Sequence, residues 1–129
     1  MIKPSDLIDF SKKQSNASDE VARRCGIHAA YYALYHDALE WAEQNGFCFN
    51  GGESKHKQVR DFFEGHQDRR AKAVGHILKA AITKRILADY HLEKDVGQAE
   101  LKTHQYHCQM GMQDLNSLKK ACDESNKTA

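Results

Sequence analysis

The sequence predicts an all-α protein: an antiparallel, up-and-down bundle of four longer helices with a short N-terminal helix before them. No segment shows the period-two alternation of polar and apolar residues that is typical of a strand. The single proline, Pro4, leaves the rest of the chain free of prolines that would interrupt a helix. Apolar residues recur at helical spacing along segments with short connections, which favours antiparallel neighbours. At 129 residues the chain, 1–129, fits one domain.

The polar and glycine residues between these segments set the expected helix ends. Ser18 is expected to cap the long second helix, which should end near Gln44 because Asn45-Gly46 is a typical C-terminal cap. Asp95, with Gln98 three residues later, resembles a capping box for the last helix. The five helices are expected at about residues 5–14, 18–44, 54–65, 71–92 and 98–121.

The composition limits the classes of protein to which the chain can belong. The chain contains nineteen Lys and Arg residues and eighteen Asp and Glu residues. The net charge of +1 lacks the excess of positive charge that is typical of a nucleic-acid-binding protein. No stretch approaches the roughly 18 apolar residues of a membrane span, and the N-terminus has no apolar run typical of a signal peptide. A cytoplasmic protein that makes no membrane contact is therefore expected.

The cysteines and histidines are candidate metal ligands. None of the four cysteines forms a Cys-x-x-Cys pair, so reduced thiols are expected. His104, His107 and Cys108 are close in sequence, but a zinc site needs further ligands at a recognisable spacing. No metal or other cofactor is therefore expected.

Three motifs follow one another along the chain. Residues 23–36 read RRCGIHAAYYALYH, residues 54–63 after a Gly-rich loop read SKHKQVRDFF, and residues 85–90 read RILADY. Each motif is weak alone, but their order and spacing are more specific. Together they make the chain resemble the HEPN superfamily of small helical-bundle proteins, over roughly residues 18–120.

The resemblance implies a function and partners. Many HEPN proteins are metal-independent RNases of toxin–antitoxin, CRISPR-linked or anti-phage systems, and they often act as homodimers with one shared cleft. Their usual catalytic signature is an Arg, four to six residues, and a His. The resemblance therefore implies an endoribonuclease or RNase-like toxin with RNA as substrate, a second copy of the chain as partner, and an antitoxin or defence-complex protein as a further partner.

Two pairs of residues have the signature spacing. Arg85 and His91 have five residues between them and lie near the end of the fourth helix, where the resemblance implies the site. Arg23 and His28 have four residues between them but lie early in the second helix, which makes them the weaker match. The resemblance implies Arg85 and His91 as catalytic residues, with Asp89 and Tyr90 as orienting groups.

Arg85 also has a structural interpretation. It is in line with Leu78, Ala81 and Ala88 on an apolar helix face, where an unpaired charge is costly, and Asp89 is one turn away as an ion-pair partner. On an ideal helix His91 points roughly 120° away from Arg85, so the two converge only through a kink or across a dimer.

Three functions remain open at this point. In a ribonuclease, a histidine moves the proton of an RNA 2′-hydroxyl and an arginine holds the phosphate, with a 2′,3′-cyclic phosphate as product. Ile86 stands where active relatives commonly carry a polar residue, which favours a non-catalytic HEPN module that serves as a binding or assembly subunit. A small-nucleotide sensor is the third hypothesis, although Gly51-Gly52 lacks the residues that follow in a P-loop.

Overall fold

The computed structural model describes residues 1–128, with side chains up to Asp123. Over these residues the secondary structure is entirely helical, with no strand, which confirms the predicted all-α class. In the same part of the chain, no helix has a stretch long and apolar enough to cross a membrane. The helices are α1 (Pro4–Lys13), α2 (Glu20–Gln44), α3 (Lys55–Glu64), α4 (Arg69–Tyr90) and α5 (Gln98–Thr128).

Several helix ends differ from those expected, for local reasons. Asp19 rather than Ser18 caps α2, and its carboxylate accepts a hydrogen bond from the Val21 N–H at 3.0 Å. The fourth helix begins two residues earlier than expected because Asp68 caps it in the same way. The last helix continues beyond the expected end at residue 121, since neither glycine nor proline follows to stop it.

The second helix forms the centre of the molecule and packs against each of the other four. Its Tyr31 and Leu34 are completely enclosed, together with Phe63 from α3, Val74 from α4 and Leu115 from α5. Each such side chain contributes on the order of 1.5–3 kcal/mol through the removal of apolar surface from water. The candidate site residues of α4 therefore rest on a rigid, well-packed helix.

Contacts between the helices show their relative directions. Arg24 contacts Ala88 while Tyr31, further along α2, lies against Arg85, so α2 and α4 run in opposite directions. On α3, His56 lies beside Tyr31 and Phe63 lies beside Trp41, so α2 and α3 run in the same direction. The expected up-and-down alternation therefore does not extend to this pair, because residues 45–54 return along the bundle before α3 begins.

Arg24 fixes the end of α4 against α2. The last carbonyls of a helix have no partners within the helix, so a buried cation there satisfies several of them at once. The Arg24 guanidinium is buried and donates to the backbone carbonyl oxygens of Leu87, Ala88, His91 and Lys94. The segment that carries the candidate site is thus held in one position relative to the second helix.

Candidate functional site

Arg85 is a buried cation surrounded by tyrosine rings. The residue is only 9% exposed, and its guanidinium carbon lies 5.7 Å from the ring centroid of Tyr31, 5.6 Å from that of Tyr32 and 6.0 Å from that of Tyr90. Aromatic faces attract a cation at such distances, most strongly where water is excluded. The rings therefore compensate part of the free energy that burial of this charge costs.

The hydrogen bonds of Arg85 leave one edge of its guanidinium free. Nη1 donates to Oδ2 of Asp89 at 3.3 Å, which confirms that the two side chains meet across one helical turn. Nε is buried and has no acceptor among the described residues, and Nη2 makes no hydrogen bond to them either. Nε and Nη2 form the edge with which arginine binds two oxygens of a carboxylate or phosphate. This edge is therefore suited to an oxyanion.

Asp89 also binds His28 of α2. Nδ1 of His28 lies 2.9 Å from Oδ2 and 3.1 Å from Oδ1 of Asp89. Because a carboxylate accepts hydrogen bonds, Nδ1 carries the proton, and the neutral ring then has its lone pair on Nε2. The His28 side chain is about half exposed. It can thus accept a proton from a bound molecule while the carboxylate holds its orientation.

The third helix adds a histidine to the site. The Tyr31 hydroxyl lies 2.8 Å from Nδ1 of His56, whose ring also packs against that of Tyr35. Burial lowers the pKa of His56, and the nearby charges of Arg85 and His36 lower it further. Burial also raises the pKa of Tyr31, so both groups are neutral at neutral pH. Arg85 therefore has uncharged neighbours on this side, and Asp89 is its only ion-pair partner among the described residues.

Of the four residues that the resemblance implies for the catalytic site, three lie together and the fourth, His91, lies apart from Arg85 and Asp89. Arg85 contacts both Asp89 and Tyr90. His91 is the C-cap of α4, and its half-exposed side chain has Nδ1 3.3 Å from Oε1 of Glu93, with no hydrogen bond to Arg85 or Asp89 among the described residues. Within one chain, His28 rather than His91 is the histidine linked to the buried arginine.

Arg23, the arginine of the weaker signature match, holds parts of the backbone together. It donates through Nη1 to the carbonyl of Ala17 at 2.9 Å and through Nε to that of Val96 at 2.8 Å. These bonds tie the turn before α2 to the turn before α5. This arginine has neither the aromatic surroundings nor the free edge of Arg85.

The contact between His28 and Asp89 was not expected from the sequence, and neither was the contact between His56 and Tyr31. His28 and Asp89 are 61 residues apart, and only the crossing of α2 and α4 brings them together. A sequence signal did exist for His28. It lies in a band of polar aromatic residues along α2, namely His28, Tyr31, Tyr32, Tyr35 and His36. The first three of these contact Asp89 or Arg85 of α4. For His56 the only signal was its place in the second motif.

An open groove lies beside the site. It has a volume of about 830 Å³. His28, Tyr32 and Asp89 line the side next to Arg85. The opposite side is mainly apolar and includes Phe10, Val21 and Leu92. The groove gives a nucleotide-sized molecule room to reach the imidazole and the carboxylate together.

His104 and Cys108 of α5 belong to the core, whereas His107 is exposed. His104 donates through Nε2 to the carbonyl of Ile27 at 3.0 Å, and Cys108 is fully buried beside it. Burial lowers the pKa of His104 to about 4 and raises that of Cys108 to about 12. Within the described residues, no three His, Cys, Asp or Glu side chains are grouped so as to hold a metal ion.

Searches for similar proteins gave no match to a protein-family model, a curated protein or a solved structure.

Proposed function

We propose that the protein is a metal-independent endoribonuclease, an RNase-like toxin or effector of a bacterial toxin–antitoxin or anti-phage system. The observation that carries this proposal is the free Nε–Nη2 edge of the buried Arg85, next to an imidazole that Asp89 orients. A phosphate binds such an edge through two oxygens, and the imidazole provides acid–base chemistry beside it. The order of the three motifs supports the same class of protein.

In the proposed reaction Arg85 holds the phosphate that is cut. Nε2 of His28 accepts the proton of the neighbouring 2′-hydroxyl, whose oxygen then attacks phosphorus. The bond from phosphorus to the 5′-oxygen breaks, and this oxygen leaves with a proton from a second acid. The products are a 2′,3′-cyclic phosphate and a 5′-hydroxyl. The guanidinium stabilises the charge that develops on the phosphate oxygens, so the reaction needs no metal ion.

We assign the second acid to a homodimer. The side chain of His91 is half exposed and points to Glu93, so it is free to serve a site other than that of its own chain. In the proposed cleft, the partner's His91 faces Arg85 and protonates the leaving oxygen. An antitoxin or another protein of the defence system would control access to this cleft.

Cleavage of a mixed RNA or tRNA pool in the presence of EDTA tests the proposal. The wild-type protein should cut RNA and leave cyclic phosphate ends, whereas Arg85→Ala and His91→Ala should cut far more slowly. If wild type and variants give equal cleavage, the activity belongs to a contaminant. If the wild type gives none, the protein is not a ribonuclease.

The observed ion pair favours a second candidate, a non-catalytic HEPN module that serves as a binding or assembly subunit. Asp89 and three tyrosine rings already surround Arg85, as a purely structural arginine requires. This candidate predicts that Arg85→Ala lowers the stability of the fold while RNA remains uncut by every form of the protein. A melting curve equal to that of the wild type would argue against the structural role.

A further inference from the structure

The fourth helix has a charge very different from that of the whole chain. Residues 69–90 contain six Lys or Arg residues and one carboxylate, a net charge of +5, while the whole chain has only +1. The remaining residues therefore carry −4. The fourth helix is therefore strongly basic although the net charge of the whole chain is close to zero.

Three of the six cations lie on one exposed face. Arg69, Lys72, His76, Lys79 and Thr83 follow one another at spacings of three and four residues, so they form a single row, which we call the outer α4 face. The row continues through Ile86 to Tyr90 and is about 31 Å long at 1.5 Å per residue. No acidic side chain is present in it.

The cations of the outer α4 face lack acidic partners. Arg69 and Lys79 form no ion pair with the described residues, and the Lys72 ammonium donates only to the backbone carbonyl of Glu64, at 3.3 Å. The single carboxylate of the helix, Asp89, is engaged by His28 and Arg85. The face is therefore free to neutralise an external anion.

Several charges of α4 also lie at the helix end where the helix dipole disfavours them. Arg69, Arg70 and Lys72 lie in the first turn of α4, where cations are unfavourable, and Asp89 lies in the last turn, where an anion is unfavourable. Of the three cations only Arg70 is compensated, by Asp68 at 3.0 Å. Selection for helix stability would give the reverse arrangement. The arrangement thus indicates an external binding partner.

We propose that the outer α4 face binds the phosphate backbone of a single RNA strand and leads it to Arg85. Arg69, Lys72 and Lys79 lie in a single row, about 4.5 and 10.5 Å apart along the helix axis, and such a row follows one strand rather than the two of a duplex. At the end of the row Tyr90 is 70% exposed, and its ring lies 6.0 Å from the Arg85 guanidinium. A base can stack on this ring while the adjacent phosphate reaches the arginine.

Binding of a non-cleavable strand tests this inference. The choice of RNA rests on the proposed function, but the measurement does not need cleavage: a fluorescent, fully 2′-O-methylated single-stranded RNA lacks the attacking hydroxyl. Its affinity is measured by anisotropy over a range of salt concentrations for Lys72→Gln/Lys79→Gln. The control, Lys102→Gln/Lys120→Gln, removes the same charge from exposed positions on α5. Circular dichroism verifies that both variants are folded.

Loss of two phosphate contacts should reduce the slope of log affinity against log salt by about 1.4, with weaker binding at every salt concentration. The α5 control should bind as the wild type does. Equal losses in both variants, or no loss in the α4 variant, would overturn the inference. Binding of a duplex RNA as tight as that of the single strand would also overturn the inference. If RNA binds through α4 but is never cut, the inference stands and the ribonuclease proposal fails.

Discussion

Nδ1 of His28 lies 2.9 Å from Oδ2 of Asp89 and so joins the second helix to the fourth through one carboxylate. The same oxygen accepts the hydrogen bond of Arg85 at 3.3 Å. Asp89 therefore orients an imidazole and a guanidinium at once, and removal of its charge affects both.

Substitution Asp89→Asn should destabilise the protein by about 2 kcal/mol, because it leaves the buried cation of Arg85 without its counter-ion. Chemical denaturation measures the effect. In the double variant with Arg85→Met, the further loss due to Asp89→Asn should be much smaller, since the charge is no longer present. Simple additivity of the two losses would show that the pair does not interact.

Arg24→Met should lower the free energy of unfolding by about 3 kcal/mol, because several carbonyl groups at the end of α4 lose a charged donor. Thermal unfolding gives the measurement. Lys102→Met, which removes an exposed charge from α5, should leave the midpoint nearly unchanged. Equal midpoints for Arg24→Met and the wild type would exclude the capping role.

Stability should fall in mild acid because of His104. Its pKa is about 4 in the folded protein and 6.5 for the unperturbed side chain, so the unfolded chain binds the proton first as the pH falls. The stabilisation is complete above pH 6.5 and is lost as the pH falls towards 4, in total about 3 kcal/mol.

The test compares wild type and His104→Gln at pH 7 and pH 4.5 by urea denaturation. The glutamine amide retains a donor for the carbonyl of Ile27 but does not titrate in this range. The wild type should lose more stability than the variant between these two pH values. Equal losses would assign the acid sensitivity to other groups.

Gly75→Ala should destabilise the contact between α3 and α4. A Cβ atom at this position would lie 2.9 Å from the backbone nitrogen of Glu64, which cannot move without the helix. We expect a loss of about 2 kcal/mol in the free energy of unfolding. Gly97→Ala is the control, since its Cβ would meet no atom within 4 Å. A loss of the same size at both positions would contradict this account.

The local features of the molecule were predictable from the sequence. The 3.6-residue periodicity gave the helices, and the spacing of Arg85 and Asp89 gave their ion pair, since residues four apart share a helix face. The direction of α3 was not predictable, because the ten residues 45–54 are long enough to join α2 to a helix of either direction. The contact of His28 with Asp89 depends on how α2 crosses α4, which no local pattern encodes.

The central claim is that His28 is an acid–base group in RNA cleavage, and the rate of cleavage without its imidazole tests this claim most directly. Single-turnover cleavage in EDTA should be at least 100-fold slower for His28→Ala than for the wild type, the smallest effect typical of a lost acid–base group. His107→Ala, which removes an exposed histidine from α5, should cut at nearly the wild-type rate. Cleavage by His28→Ala at the wild-type rate would contradict the account.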